Sequence, residues 1–139
     1  MDIVFDKRFN EQDIEDMLQI YHNNNWLKHD QDKVVTIFSK ATHVVIARNN
    51  GKVIGFVRAM SDDVFNAAIY DVVVDVAYQG KGIGKKLVSE MLEYLGDLSC
   101  VHLISTTGNN PFYEQLGFKR LKTGMARYKN TKLKDEYTV

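Results

Sequence analysis

The sequence is poor in cysteine, proline and net charge. Its 139 residues include a single cysteine, Cys100, and a single proline, Pro111. One cysteine excludes an internal disulfide, which favours a reducing compartment. Eighteen basic and eighteen acidic residues cancel, so the chain has no overall field that would recruit nucleic acid or an anionic membrane. An anion-binding site must therefore be local.

Long hydrophobic runs are also absent. No stretch approaches the roughly 20 apolar residues that a membrane-spanning helix needs. The first residues, MDIVFDKRFNEQD, lack the basic flank and apolar core of a secretory signal. The 45% hydrophobic and 26% charged fractions are typical of a globular protein. We therefore expect a cytoplasmic protein with one domain over residues 1–139, and no nucleic-acid or membrane partner.

Apolar periodicity predicts the order β-α-α-β-β-β-α-β-α-β-β. Such a chain belongs to the α/β (α+β) class, with a mixed, mostly antiparallel central sheet and helices on both faces. Asn10 or Asp13 can cap the first helix, and Asn110 can cap the last one ahead of Pro111. The predicted elements are strands at 2–6, 42–48, 52–60, 67–75, 101–106, 118–122 and 125–129, and helices from about 13, at 30–40, at 83–95 and at 110–117.

The run AAIYDVVVD at 67–75 is the most apolar predicted strand. A near-continuous apolar run implies burial on both faces, so we expect this strand to be central. Within it, Ala68 and Tyr70 are expected to lie on one face. By strand alternation, Asp71 and Asp75 are expected to point the other way.

A glycine-rich loop, QGKGIG at 79–84, follows this strand and opens a helix. Without side chains, successive backbone N–H groups can converge on an anion at the positive end of the helix dipole. Three lysines, Lys81, Lys85 and Lys86, add positive charge. Together they favour a polyanion such as a nucleotide or a coenzyme pyrophosphate. The spacing fits neither a P-loop nor a Rossmann turn.

Gln79–Gly84 resembles the Gln/Arg-x-x-Gly-x-Gly/Ala signature of the GNAT superfamily of acyl-coenzyme A-dependent N-acyltransferases. The stretch NNPFYEQLGF at 109–118 resembles the second GNAT signature. One departure is Val76, where many members have proline. The resemblance implies acetyl-coenzyme A as co-substrate. The residues that it assigns to coenzyme binding are Val72, Val73, Val74, Gln79, Gly80, Lys81, Gly82, Ile83, Gly84, Lys85, Asn109, Phe112 and Tyr113.

By the same resemblance, Tyr113 is the catalytic general acid that protonates the leaving thiolate. The alternative is that Tyr113 is one more packed aromatic residue. An amine of pKa near 10.4 must also lose a proton. The resemblance implies a glutamate or histidine base on the central strand, but the corresponding inward positions here are Ala68 and Tyr70, so the sequence offers no obvious base. A water chain ending at Asp62 or Asp63 is one route. A backbone N–H near Val74 is expected to hold the oxyanion.

The acceptor pocket implied by the resemblance lies between the first two helices and the loop after the third strand. Its tentative residues are Tyr21, Trp26, Phe65 and Tyr70. A loop tryptophan such as Trp26 is more often a core anchor than a ligand platform. The acidic pair at 62–63 could attract a cationic amine, but an acidic pair in a loop is more often only solvated. Four histidines without ligand spacing predict no metal site.

The leading hypothesis is therefore an acetyltransferase acting on a primary amine by direct attack in a ternary complex, with a small molecule favoured over a protein as acceptor. Cys100, in a strand expected to be buried, is not expected to form an acyl-enzyme. A coenzyme A-binding sensor with little catalysis is the first alternative, and a phosphate-binding domain for another nucleotide the second. The C-terminal residues 129–139 are expected to form an exposed tail or an edge of a homodimer.

Overall fold

The computed structural model describes residues 2–139, which divide into two compact units, 2–104 and 105–139. The elements of the first unit are β1 (Ile3–Asp6), α1 (Asp13–Asn23), α2 (Gln31–Lys40), β2 (His43–Asn49), β3 (Lys52–Ser61), β4 (Asn66–Val74), α3 (Ile83–Leu95) and β5 (Cys100–Leu103). A 3₁₀ turn, Val76–Tyr78, joins β4 to α3. The elements of the second unit are α4 (Asn110–Glu114) and α5 (Thr131–Tyr137).

The first unit is built on a five-stranded sheet of order β1-β2-β3-β4-β5. The first four strands pair antiparallel, and β5 runs parallel to β4. Helices cover both faces, because α1 and α2 share one core cluster with the sheet while α3 packs on β2, β3 and β4 from the other side. The predicted mixed, mostly antiparallel sheet with helices on both faces is thereby confirmed.

Strand alternation sends buried residues to both helical layers. On β2, Val44 and Ile46 belong to the cluster of α1 and α2, so the buried Val45 and Ala47 between them point toward α3. On β3, a Cβ added to Gly55 would lie 3.2 Å from Leu87 of α3 and 3.1 Å from a backbone oxygen of β4. Glycine here allows α3 to approach the sheet closely.

Local turn signals predicted several elements well. Asn50 and Gly51, between β2 and β3, have φ values of 52° and 83°, as a tight hairpin turn requires. Asp30 caps α2 by accepting the Lys33 N–H at 2.8 Å. Gly96 ends α3 with φ of 74°. The element bounds near these positions depend on neighbours in sequence, which is why the sequence alone located them, although the cap formed by Asp30 was not predicted.

The predicted central strand is not the most buried one. Residues 53–57 of β3 are all buried, whereas β4 alternates between buried and exposed positions, and Tyr70 is 44% exposed. β4 is thus buried on one face along much of its length, and the prediction of burial on both faces is wrong. Helix α3 packs on one face of β4, whereas α1 on the other side packs mainly on β3, so little covers the α1 face of β4.

The last two predicted strands, 118–122 and 125–129, are also wrong. The structure has no strand in residues 105–139, and α5 follows instead, with Asn130 accepting the N–H groups of Lys132 and Leu133. Leu121 is 60% exposed and Met125 is 97% exposed. Charged residues separate these side chains, so neither segment has an apolar face to bury against a sheet.

Two predicted helix caps are wrong as well. α1 begins after Gln12, and Asp13 is inside the helix, where it forms an ion pair with Arg48. α4 begins after Asn109, which makes no side-chain capping bond. Asn110 accepts a hydrogen bond from the Ser105 hydroxyl instead. Among the helices of residues 2–139, none has the length and apolar character needed to cross a bilayer.

Candidate functional site

The glycine loop forms an open mouth at the start of α3. Gly80 and Gly82 have φ values of 78° and 80°, a region that disfavours residues with a Cβ. A Cβ at either position would meet nothing within 4 Å, so the requirement for glycine comes from the backbone. Gly82 is the N-cap and offers no side-chain acceptor. The N–H groups of the first helical turn are therefore available to a ligand.

The lysines around this mouth differ in whether they form an ion pair. Lys86 pairs with Glu90 at 3.2 Å, while Lys81 and Lys85 are exposed. The Ile83 side chain is buried, so Ile83 can contribute only its backbone to a ligand. The mouth therefore combines the N–H groups of the first helical turn with the exposed ammonium groups of Lys81 and Lys85.

A side-chain clamp ties the loop to α1. The Gln79 side-chain amide donates to the carbonyl oxygen of Val74 at 3.0 Å and to Asn24 Oδ1 at 2.9 Å. Asn24, at the end of α1, donates to the same Val74 carbonyl at 2.9 Å. This triangle fixes the end of β4 relative to the loop. It gives Gln79 a structural role that its position in the signature did not reveal.

A β-bulge interrupts the pairing of β3 with β4. Phe56 pairs with Val73, but Arg58 pairs with Tyr70, so two residues of β4 oppose one of β3. Asp71 lies in this bulge with φ of 54°. The bulge turns Asp71 toward the α1 face of the sheet, which Tyr70 also faces. The prediction that Asp71 points away from Tyr70 is therefore wrong.

Asp71 forms the centre of a small polar network. Its Oδ2 accepts the Tyr21 hydroxyl at 3.0 Å and Arg58 Nε at 2.8 Å. The Arg58 guanidinium lies 4.9 Å from the Tyr70 ring centroid. Burial, together with the negative charge of Asp71, raises the pKa of Tyr21 well above its usual value. Tyr21 is thus a neutral donor, and the network holds Tyr70 at the surface of the sheet.

The four predicted pocket residues are in different environments. Tyr21 is fully buried and packs 5.6 Å from Trp26, which is partly buried against the α1–α2 core. Tyr70 is 44% exposed and is linked to Tyr21 through the Asp71 network. Phe65 lies in the β3–β4 loop and is 62% exposed. The structure brings Tyr21, Trp26 and Tyr70 to one side of the sheet, and it places Phe65 at the end of the strands.

The second signature lies in the unit 105–139. Tyr113 is in α4, with the rings of Phe112 and Phe118 at centroid distances of 4.9 and 5.8 Å. Burial raises the pKa of Tyr113, so its hydroxyl is protonated at neutral pH. The Asn109 side chain donates to the Thr106 hydroxyl. Tyr113 is therefore both packed among aromatic rings and kept in the state that an acid needs.

An open cleft of about 360 Å³ lies where β3 ends and β4 begins. Its floor includes Met60 and Ala68, which pair across the two strands. His102 of β5, opposite Ala68, forms one wall. No local sequence pattern signals this cleft, because only the strand register brings these residues together. Cys100 of β5 is half-buried, less covered than predicted.

A family model for the acetyltransferase (GNAT) family matches residues 11–118. The chain belongs to this family. Among curated GNAT relatives, an uncharacterised N-acetyltransferase, ycf52, of Pyropia yezoensis is 34% identical over 107 residues, covering 72% of this chain and 61% of the relative. A glucosamine 6-phosphate N-acetyltransferase of Trypanosoma brucei brucei is 34% identical over 86 residues, covering 56% and 58%. The chain thus spans less than two thirds of either relative.

A solved structure supports the same assignment. A candidate acetyltransferase from Deinococcus radiodurans R1 superposes with a TM-score of 0.76 and 31% sequence identity, covering 91% of this chain and 88% of that one. The residues matched by the family model include the polar network, the glycine loop and α4. The predicted membership of the GNAT superfamily is confirmed.

Proposed function

We propose that this GNAT protein transfers the acetyl group of acetyl-coenzyme A to a primary amine. One structural observation carries the proposal. β5 pairs with β4 only as far as Ile69, opposite Leu103, yet β4 continues to Val74. Within residues 2–139, the β5-side edge of 70–74 has no strand partner and leads directly into the glycine loop.

An extended coenzyme fits this edge and loop. Backbone groups on an open strand edge can hydrogen-bond an extended ligand as a further strand would, and the pantetheine arm carries the required amides. Val72, Val73 and Val74 would supply these contacts. The pyrophosphate would then lie at the N-terminus of α3, held by the N–H groups of 82–85 with Lys81 and Lys85 nearby.

The proposed chemistry is a direct transfer. The neutral amine attacks the thioester carbonyl, and the backbone N–H near Val74 stabilises the oxyanion. The carbon–sulfur bond breaks as the carbonyl re-forms, and the leaving thiolate takes the Tyr113 proton. The amine proton passes to solvent, and Tyr113 is reprotonated from solvent. Cys100 has no role, because the amine attacks the coenzyme thioester itself.

Deprotonation of the amine carries a high free-energy cost in this scheme. A free amine of pKa near 10.4 is neutral about once in a thousand molecules at pH 7, at a cost of roughly 4 to 5 kcal/mol. Neither Ala68 nor Tyr70 can act as a strong base. This observation favours the second candidate, a coenzyme A-binding sensor with little turnover.

The acceptor is proposed to be a small molecule that approaches the α1 face of the sheet. Tyr70 would line its path, with Phe65 at the outer end, while the buried Tyr21 supports Tyr70 through the Asp71 network and Trp26 packs behind Tyr21. The trypanosome relative named for glucosamine 6-phosphate is consistent with a small-molecule amine. A cytoplasmic location and a homodimer stay predictions.

The test is coenzyme A release from acetyl-coenzyme A against a panel of primary amines, with direct measurement of acetyl-coenzyme A affinity in parallel. Turnover with at least one amine is the expected result. Tight coenzyme binding with no turnover for any amine would instead support the sensor. Absence of coenzyme binding would contradict both.

A further inference from the structure

The cleft beside β4 is continuous with the open strand edge. Met60 and Ala68 face each other across β3 and β4, and Arg58 and Tyr70 form the next pair on the same face. Ala68 is still paired with His102 of β5, whereas Tyr70 lies beyond the last β4–β5 pair. Two residues of a strand span about 7 Å. A short alkyl chain is therefore long enough to reach from the cleft to a thioester held beside Tyr70.

The rim of this cleft carries one carboxylate in a fixed position. Asp62 Oδ1 accepts the N–H groups of Val64, Phe65 and Asn66 at 2.8, 2.7 and 3.0 Å. The hydrogen bonds from these backbone N–H groups, with that of Asn66 contributing most, lower the pKa of Asp62. The side chain therefore remains charged. Its second oxygen, Oδ2, has no hydrogen-bond donor among residues 2–139.

The neighbouring carboxylate is directed elsewhere. Asp63 Oδ1 contacts His43 Nε2 at 2.6 Å, and the His43 ring packs 4.6 Å from Tyr94 of α3. Asp63 therefore belongs to the α3 side of the sheet and does not line the cleft. Of two adjacent acidic residues that look equivalent in sequence, the fold assigns one to the cleft.

We propose that this cleft binds the alkylammonium group of the acceptor, with Asp62 as its counter-charge and Met60 and Ala68 as its apolar floor. Methionine and alanine present an adaptable surface to a short methylene chain. The free oxygen of Asp62 is available to an ammonium group. The assignment rests on the proposed acetyltransferase activity for its biological meaning, and it names the acceptor class as a cationic primary amine on a short aliphatic chain.

The test measures binding directly and does not require turnover. Butylammonium chloride is titrated into the ¹⁵N-labelled protein saturated with coenzyme A, and backbone amide shifts are followed by NMR, with butanol as the neutral counterpart. We expect butylammonium to shift the amides of Asn66, Ala68 and His102, and butanol to bind more weakly. Added salt should weaken butylammonium binding, because exposed charge pairs are screened.

Two isosteric variants separate the adjacent carboxylates. Asp62→Asn keeps the oxygen that accepts the three backbone N–H groups and removes the charge, so the loop should persist. We expect it to weaken butylammonium binding roughly fivefold and to abolish the salt dependence. Asp63→Asn, the matched control, should bind as the wild type does.

A steric variant tests the floor of the cleft. Ala68→Leu should prevent butylammonium from shifting the cleft amides while leaving coenzyme A affinity unchanged. Unaltered binding in both Asp62→Asn and Ala68→Leu, or shifts confined to other parts of the chain, would overturn the assignment. Turnover of amines without cleft binding would refute this inference alone. Cleft binding without turnover would refute the proposed activity alone.

Discussion

Replacing Asp71 by asparagine tests whether the bulge network holds β4 in the shape that the proposed site needs. Asp71 has φ of 54°, and asparagine tolerates that region better than other residues with a Cβ. The substitution therefore removes the charge without adding the backbone strain that alanine would bring. Any loss of stability then reports on the contacts with Tyr21 and Arg58.

The expected loss follows from those contacts. Hydrogen bonds to a charged group are each worth about 1.5 to 3 kcal/mol, against about 0.5 to 1.5 kcal/mol for neutral pairs. Two such bonds reach Asp71 Oδ2, from Tyr21 and Arg58, and the two ion-pair side chains are only 16% and 12% exposed. Asp71→Asn should lower the free energy of unfolding by about 2 to 3 kcal/mol. Tyr21→Phe, which removes one of the two bonds, should cost about 1.5 to 3 kcal/mol.

The assay is urea unfolding followed by tryptophan fluorescence. Trp26 is the single tryptophan, and its ring lies 5.6 Å from that of Tyr21, so it reports on this region. Asp63→Asn is the matched control, because Asp63 has a similar φ of 58° and a side chain that is 54% exposed. The control should lose less than about 1 kcal/mol. An Asp71→Asn protein as stable as the control would refute the network. Losses in the free energy of unfolding that simply add in the Asp71→Asn/Tyr21→Phe double variant would refute it as well.

Two further predictions concern the glycine loop and a second ion pair. Gly82→Ala and Gly51→Ala place a Cβ at φ of 80° and 83° with nothing within 4 Å, so each should lose about 1 kcal/mol in urea unfolding. Only Gly82→Ala should weaken acetyl-coenzyme A binding, measured by calorimetry. Equal acetyl-coenzyme A affinities for the two variants would contradict the assignment of the glycine loop to coenzyme binding. Burial alone would raise the pKa of Asp13, but hydrogen bonds from Arg48 and a backbone N–H outweigh it and lower that pKa. The stability difference between wild type and Asp13→Asn should therefore hold from pH 7 to 5 and shrink below about pH 4, and a difference that grows with acid would refute this.

Elements with local signals were predictable from the sequence. The short turn between the predicted strands 42–48 and 52–60, the start of the second helix near residue 30 and the glycine loop each depend on residues adjacent in the chain. The helical periodicity of α3 and its stop at Gly96 also belong to this group. The family signatures then supplied the fold class.

Features set by strand register were not predictable. Nothing in the letters YDVVV marks a bulge, yet the bulge decides which way Asp71 points. The same register places His102 beside Ala68 and separates Asp62 from Asp63. Burial of β4 was overestimated because an apolar run was taken to imply cover on both faces, whereas α1 packs mainly on β3 and leaves Tyr70 on that face exposed.

The C-terminal strands failed for a different reason. The segments 118–122 and 125–129 mix basic and apolar residues without regular alternation, and strand formation needs a sheet edge and a face to bury. Leu121 and Met125 remain exposed. Asn130, whose side chain caps α5, is a sequence signal for this helix. The prediction of an exposed tail or a dimer edge did not use that signal.

Coenzyme A release by Tyr113→Phe, compared with wild type and Tyr128→Phe, tests the central proposal most directly. The measurement uses an amine that the wild type acetylates, at saturating acetyl-coenzyme A. Tyr113 is expected to protonate the thiolate, so its loss should lower kcat by a factor of about 100 or more while the acetyl-coenzyme A affinity stays unchanged. Tyr128, which stacks on Tyr137 6.0 Å away, should be dispensable for turnover. A Tyr113→Phe protein with the wild-type kcat would contradict the proposed acid.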